Sequence, residues 1–500
     1  MLKTLPSNIS NRTGAKTMEK TAFEIEETTI SEVQQAFENG QLTSVELVQA
    51  YLNRIDQFDK NGPKINSILS LNPDALKIAA ELDEMRGQEG QGPLYGIPVL
   101  LKDNIDTANA MPTTAGTIVL QENFAKEDAF VAAQLRNAGA IILGKVNMSE
   151  WAYFMTSDVP SGFSNLSGQV LNPYGVGVFE AGSVGGSSSG TGAAMASNFA
   201  VVGIGTETSG SILSPASANS LVGIKPTVGL ISRTGIIPIA ESQDTAGPMA
   251  RTVADAAITL GVLTGIDERD PATLKNETKA LSDYTPHLKV DGLKGARIGI
   301  DRSFLSEIGK EERAIMEQAI KELIALGAIT EEVEIPQADF DSEVLWYEFK
   351  RGVNQYLSKV SSEVPVKSLA DVIEFNKENP ELRMKYGQTE LEKAQALSED
   401  EKDPTYIFHR ETDIRNSRSE GIDAVMAKHH LDALLFENNR GAALPAKAGY
   451  PSITVPAGFT GSGLPIGVTF SAKAYSEPRL IELAYAYEQA TKKRKAPRFE

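Results

Sequence analysis

Serines on glycine-rich turns and one lysine at the end of an apolar run are the residues of this chain best suited to chemistry. Between Gly182 and Ser211, the stretches Gly185-Gly-Ser-Ser-Ser-Gly-Thr191 and Gly205-Thr-Glu-Thr-Ser-Gly-Ser211 flank an apolar run, Phe199-Ala-Val-Val-Gly-Ile204. Glycine-rich turns let backbone N–H groups converge on an anion, and a serine on such a turn carries an exposed hydroxyl beside those donors. An acyl-transfer nucleophile and its oxyanion hole need that combination. The serine also needs a base, and the histidines (His287, His409, His429 and His430) all lie well downstream. Lys102 is the better candidate, because it ends the run Tyr95-Gly-Ile-Pro-Val-Leu-Leu101, which reads as a buried strand. Desolvation there favours the neutral amine, and a neutral amine accepts a proton. The bland alternatives are a flexible Gly/Ser linker and a solvated surface lysine. Alternation of the Gly/Ser stretches with Val/Ile/Ala runs favours packed strand–turn–helix units.

Periodicity supplies the elements that must position these residues. Thr43-Ser-Val-Glu46 is a capping box with Leu42 and Leu47 as its hydrophobic staple, so a helix begins at Thr43 and carries the apolar stripe Val48, Tyr51, Leu52 and Ile55. Strands at 97–101, 140–144 and 200–205 then alternate with helices near 129–137 and 189–198. The second half repeats the pattern, with strands at 297–300, 431–436, 453–457 and 466–471 and helices near 311–326 and 477–489. Such alternation predicts an α/β fold, a large mixed β-sheet sandwiched between helices. From about 338 to 430 the chain is charged and poor in strand signals, and it reads as helices laid over the core. Its aromatics Trp346 and Phe349 read as core contacts of those helices. Residues 1–25 read as a flexible polar extension and 26–500 as one catalytic domain.

Composition narrows the function further. Lys and Arg total 48 against 66 Asp and Glu, and the net charge of −18 repels phosphate backbones and anionic lipid, so neither a nucleic-acid nor a membrane partner is expected. The N-terminal residues hold no apolar core for a signal peptide, which makes cytoplasmic residence the expectation. With no cysteine, thiol catalysis and disulfides are excluded. Gly185 to Gly190 has the spacing of a phosphate loop, but Thr191 stands where that motif requires lysine. Gly175-Val-Gly177 and Gly203-Ile-Gly205 lack the third glycine of a dinucleotide fingerprint, and His429-His430 has no partner motif for zinc. No cofactor or metal is implied.

Gly96-Ile-Pro-Val-Leu-Leu-Lys-Asp-Asn104, the segment from Gly185 through Gly223-Ile-Lys-Pro-Thr227, Ser242-Gln-Asp-Thr-Ala-Gly-Pro-Met-Ala-Arg251 and Gly449-Tyr-Pro-Ser-Ile-Thr-Val-Pro-Ala-Gly458 resemble the amidase signature hydrolases over about residues 30 to 490. Within that family, Trp151-Ala-Tyr-Phe154, Asn172-Pro-Tyr174 and Gly205-Thr-Glu-Thr208 are most similar to the peptide amidase branch. The resemblance implies the amidase signature fold, with residues of about 338–430 bordering a substrate funnel. It implies Ser211 as nucleophile, Ser187 as relay serine behind a cis peptide bond, and Lys102 as base. An oxyanion hole from the amides of Thr208, Ser209, Gly210 and Ser211 follows from it, as does cleavage of a linear carboxamide to carboxylate and ammonia through an acyl-enzyme. The substrate would be a small-molecule or peptide amide, peptide C-terminal amides among them, and the enzyme a monomer or homo-oligomer.

Two positions depart from the commonest family pattern. Glu207 and Ser209 stand where Asp and Gly are more usual, and a serine at 209 is strained if that position needs positive φ. Asp244, Arg251 and Lys225 fall in matching motifs and read as ion-pair or turn residues. Two other functions fit the same motifs. The glutamine-dependent amidotransferase subunit of this family usually follows its nucleophile with Ile-Arg, where this chain has Ile212-Leu213. A non-catalytic binding protein on the amidase fold is opposed by the intact Lys102, Ser187 and Ser211.

Overall fold

The computed structural model describes residues 23–499 apart from 89, 277 and 337–340. Most of the polar extension expected at 1–25 therefore lies outside the described residues, as does the start of the segment expected from about 338. In chain order the strands are β1 (Ile68–Leu71), β2 (Pro98–Lys102), β3 (Ile141–Val146), β4 (Phe163–Ser164), β5 (Gly168–Gln169), β6 (Val202–Glu207), β7 (Val222–Lys225), β8 (Thr245–Ala250), β9 (Arg297–Ile300), β10 (Ile329–Glu332), β11 (Ala433–Glu437), β12 (Ser452–Phe459) and β13 (Pro465–Ser471). Eleven of them form one sheet in the order β1-β3-β2-β6-β8-β7-β12-β13-β11-β9-β10, while β4 and β5 pair separately. The sheet is mixed: β2 runs parallel to β3 and β6, and β9 parallel to β10 and β11, whereas β8 is antiparallel to β6 and β7.

Two details of this sheet place the site. Val99 faces Val202 and Leu101 faces Ile204 in the parallel β2–β6 ladder, so both strands end at the same edge, with Lys102 at the end of one and Glu207 at the end of the other. The loops that leave parallel strands at their carboxyl ends are where α/β sheets collect their functional groups. Between the two strands the chain forms the helix Ser189–Ala196, every residue of which is buried. A Cβ at Gly190 would lie 2.2 Å from the carbonyl oxygen of Asn147, and one at Gly192 would lie 2.7 Å from Asn219 Nδ2. The small residues of the Gly/Ser stretch thus permit close helix–strand packing rather than linker flexibility.

Local signals agree with the elements they were read from. Thr43 caps the helix Ser44–Ile55 with a complete capping box, and Leu42 and Leu47 are buried. The expected helices over the core are present from Val344 to His429; those from Val344 to Gln395 pack on a hydrophobic cluster of their own that includes Trp151, Phe154, Ile237, Phe349, Val353 and Leu369, while Ile422, Val425 and Met426 join the main core. Phe349 is fully buried against Phe154 and Trp151. Trp346 is half-buried between Phe154 and the Lys393 ammonium, with its indole N–H donated to Glu390. Among the described residues, no helix is long and apolar enough to cross a membrane.

Candidate active site

Lys102 is fully buried. Its Nζ lies 2.8 Å from Ser187 Oγ, 2.9 Å from Thr206 Oγ1 and 3.1 Å from the Thr206 carbonyl oxygen. Parallel pairing of β2 with β6 puts Thr206 alongside the lysine, and Asn104 Nδ2 donates to the same threonine hydroxyl at 3.0 Å. Burial pushes the Lys102 ammonium down to about 7, opposed by the Asp244 and Glu207 carboxylates. Neutral and charged amine are then comparably populated at neutral pH. A second buried lysine, Lys145 on β3, donates to the Ile105 carbonyl at 2.6 Å and to Thr113 Oγ1 at 3.0 Å, which holds the loop beyond Lys102 in place.

Ser187 and Ser211 sit on turns joined through their neighbours. The Gly186–Ser187 peptide bond is cis. A Cβ at Gly186 would come within 2.6 Å of Ser149 Oγ and 2.7 Å of Tyr153 OH, so any larger residue there requires those side chains to move. Ser188 N–H donates to the Ser211 carbonyl at 3.2 Å, and Ser188 Oγ donates to the Thr206 carbonyl at 3.0 Å. The three residue groups around Lys102, Ser187 and Ser211 are thereby brought to one edge of the sheet. Ser187 is fully buried and Ser211 is 6% exposed, and among the described residues no hydrogen bond joins their two side chains.

Glu207 shapes the turn that carries Ser211. Its carboxylate accepts the N–H groups of Gly210 (2.7 Å), Ile212 (2.6 Å) and Leu213 (3.0 Å). Of the four amides expected to form an oxyanion hole, that of Gly210 is therefore the one engaged by a side chain among the described residues. Ser209 lies outside the left-handed region, which is occupied by Gly210 at φ +79°. The strain expected at Ser209 does not arise, because the residue that needs positive φ is the glycine one position later.

A cavity of about 720 Å³ opens onto Ser187, Thr206, Thr208 and Asn104. Asp244 also lines it, accepting the Thr208 hydroxyl on one oxygen and the N–H groups of Ile239 (2.8 Å) and Ala240 (2.9 Å) on the other. Burial pushes this carboxyl up to about 6. Asp244 is thus a turn residue, as read, and also part of the cavity wall. Lys225 and Arg251 serve the frame: Lys225 donates to the Tyr450 carbonyl at 2.7 Å, and Arg251 to the carbonyls of Ala200 (2.9 Å) and Thr28 (2.7 Å). The opposite wall comes from the helix Val344–Leu357, through Glu348, Arg351, Gly352, Gln355 and Tyr356. None of these was expected from sequence; Trp346 and Phe349, the aromatics singled out there, face the helical cluster instead.

The sequence pattern of the Amidase family matches residues 46–481 of this chain. The chain belongs to the amidase signature family. A probable amidase of Arabidopsis thaliana is 39% identical over 490 residues, covering 95% of this chain and 92% of its own. The native peptide amidase of Stenotrophomonas maltophilia superposes with a TM-score of 0.88 at 45% identity, over 95% of this chain and 99% of that one. An amidase family protein from Bacillus anthracis gives a TM-score of 0.90 at 42% identity, over 95% and 93% of the two chains. The family also reaches the glutamyl-tRNA(Gln) amidotransferases, represented by a chain of the Halorhodospira halophila enzyme at 30% identity over 93% of this chain and 97% of its own. The fold is the amidase signature fold, a large mixed sheet flanked by helices.

Proposed function

We propose that this amidase is a serine-dependent hydrolase of linear carboxamides, with residues 26–500 as one catalytic domain and the helical segment at about 338–430 bordering its funnel. The observation that carries the reading is a desolvated Lys102 amine 2.8 Å from Ser187 Oγ, on a turn stitched by Ser188 to the Ser211 turn. Ser211 Oγ attacks the amide carbon while its proton passes to Ser187 Oγ, and the Ser187 proton passes to neutral Lys102 Nζ, an arrangement of the Ser-Lys type. The N–H groups of Thr208, Ser209 and Ser211 stabilise the oxyanion; Gly210, the fourth expected member, contributes only if Glu207 releases its N–H. Lys102 returns the proton through Ser187 to the leaving nitrogen, ammonia departs, and water repeats the sequence on the acyl-enzyme to free the acid. Every proton in this scheme is carried by a side chain of the chain itself.

The substrate class proposed is a peptide C-terminal amide, or a small amide, that is neutral or cationic. Support comes from the peptide amidase likeness and from the charge of the cavity. Its arginines are already paired, Arg233 with Asp270, Arg269 with Asp267 and Arg351 with Glu241, and Lys126 and Lys359 are exposed. Asp106 and Glu348, both buried, and the half-buried Asp244 are carboxylates on its wall with no ion pair within 4.0 Å among the described residues. An anionic substrate would meet the negative charge of these carboxylates with no free arginine among the described residues of the wall to receive it. Likeness to the amidotransferases keeps glutamine as a second reading. Ammonia release from peptide amides, short aliphatic and aromatic amides and glutamine decides between them: peptide amides should give a kcat/KM at least tenfold above propionamide. Activity that appears only with glutamine and added partner proteins contradicts the proposal.

A further inference from the structure

The helix Val344–Leu357 does more than line the cavity: two of its side chains reach across to the loops that carry the site. Near its end, Tyr356 OH donates to Asp106 Oδ1 at 2.8 Å and accepts from Asn123 Nδ2 at 2.9 Å. Asp106 belongs to the loop that begins immediately after Lys102, and its own N–H donates to the Gly235 carbonyl at 2.8 Å. Two turns earlier, Glu348 Oε2 accepts the Ser242 N–H at 2.9 Å, and Glu348 Oε1 accepts the Tyr406 hydroxyl at 2.8 Å from the helix Pro404–Ser417. Ser242 sits in the turn closed by Asp244, whose other carboxylate oxygen takes the Thr208 hydroxyl. One helix therefore touches both halves of the site, the lysine loop through Tyr356 and the Thr208 turn through Glu348.

The spacing is rigid. Eight residues of α-helix at 1.5 Å rise span about 12 Å, and the two contacts cannot change their separation without unwinding it. Between them, a Cβ at Gly352 would lie 2.8 Å from Pro238 Cγ, so the helix is pressed against the 236–239 segment as closely as glycine allows. The contacts themselves are part-buried hydrogen bonds to buried carboxylates, directional and costly to leave unmade on the carboxylate side.

We infer that this helix is a two-point clamp, in which Glu348 and Tyr356 are positioning residues that fix the lysine loop and the Thr208 turn at their reacting separation. The inference rests on the serine-hydrolase reading above. If the helix only lines the cavity, changing these side chains alters KM for long substrates and nothing else. A clamp instead governs the reactivity of Ser211 toward any reagent, including one too small to use the wall.

The test uses the full chain with Tyr356→Phe, Glu348→Gln and Glu348→Ala, reading kcat and KM on propionamide, the rate of Ser211 labelling by a small fluorophosphonate, and the Tm. Tyr356→Phe keeps the ring and removes only the hydroxyl, and Glu348→Gln keeps an acceptor oxygen, so both report even if Glu348→Ala does not fold. The clamp predicts that Tyr356→Phe and Glu348→Ala lower kcat and labelling rate tenfold or more with KM changed less than threefold, and that Glu348→Gln recovers most of the loss. Variants labelled as fast as a labelled wild type, with kcat on propionamide unchanged, overturn the clamp alone. A wild type that takes no label at Ser211 and releases no ammonia overturns the serine-hydrolase reading, and the clamp with it.

Discussion

At the sheet edge that carries Lys102 and Ser211, nearly every position is small, buried and fixed by a close approach, whereas the helical wall across the cavity is an ordinary amphipathic surface. The helix Ser189–Ala196 buries all its residues, and Gly186, Gly190 and Gly192 each sit where a Cβ would come closer than 3.0 Å to a neighbour. The helix Val344–Leu357 buries Tyr347, Phe349, Val353 and Leu357 and turns Glu348, Arg351 and Gln355 to the cavity. Many sequences meet the second requirement and few meet the first. The two surfaces are therefore under different constraint, and substitutions should fail differently: replacing a proposed reacting side chain at the edge should lose the reaction with the fold kept, whereas truncating the buried apolar face of the helix should weaken the fold with the reaction kept. Glu348 and Tyr356, which reach back to the edge, belong with the first group.

Lys102→Ala should show the largest effect, a loss of about a thousandfold or more in kcat in a chain that still folds, because on the proposed mechanism it removes the terminal base of a unit whose members act together. Retention of a tenth of wild-type kcat would break the assignment. Acidification tests the same lysine more gently. With the ammonium pushed down to about 7, the reactive neutral form is lost below that pH, so kcat/KM should fall about tenfold per pH unit beneath it and level off above. A profile flat from pH 5 to 8 would mean that Lys102 is not the titrating base.

On the helical side, Phe349→Ala removes a fully buried ring and should cost about 3–5 kcal/mol of unfolding free energy. Chemical denaturation measures it, and the protein that remains folded should keep its labelling rate at Ser211. Trp346→Ala, at a half-buried site, should cost less than Phe349→Ala in the same measurement. If Trp346 proves the more costly, the packing account of this cluster is wrong.

The same contrast explains what could be read in the sequence. The strand before Lys102 is expected at 97–101 and runs Pro98–Lys102, because Lys102 itself pairs with Val146 in the ladder. Its parallel neighbour is expected at 200–205 and runs Val202–Glu207. Strand β8, Thr245-Ala-Gly-Pro-Met-Ala250, carries no strand signal: glycine, proline and alanine are poor strand formers, and its conformation is imposed by lying between β6 and β7. A Cβ at its Gly247 would lie 2.0 Å from the Ile224 carbonyl oxygen, so the residue that hides the strand is the one the packing demands. β10, Ile329-Thr-Glu-Glu332, is equally silent as a short, partly exposed edge strand. Of the proposed site, Lys102, Ser187 and Ser211 are picked out in the sequence by the constrained motifs around them. Glu348 and Tyr356 are not, since their partners Ser242 and Asp106 lie more than a hundred residues away and no local pattern marks them.

The central claim is that Ser211 is the nucleophile. Reaction of the purified chain with one equivalent of a fluorophosphonate, followed by proteolysis and mass mapping, tests it most directly. The label should fall on the peptide containing Ser211, appear in step with loss of amidase activity, and vanish in Ser211→Ala. Label on Ser187 or on a serine outside this edge, or full activity in a chain labelled at Ser211, would contradict the account.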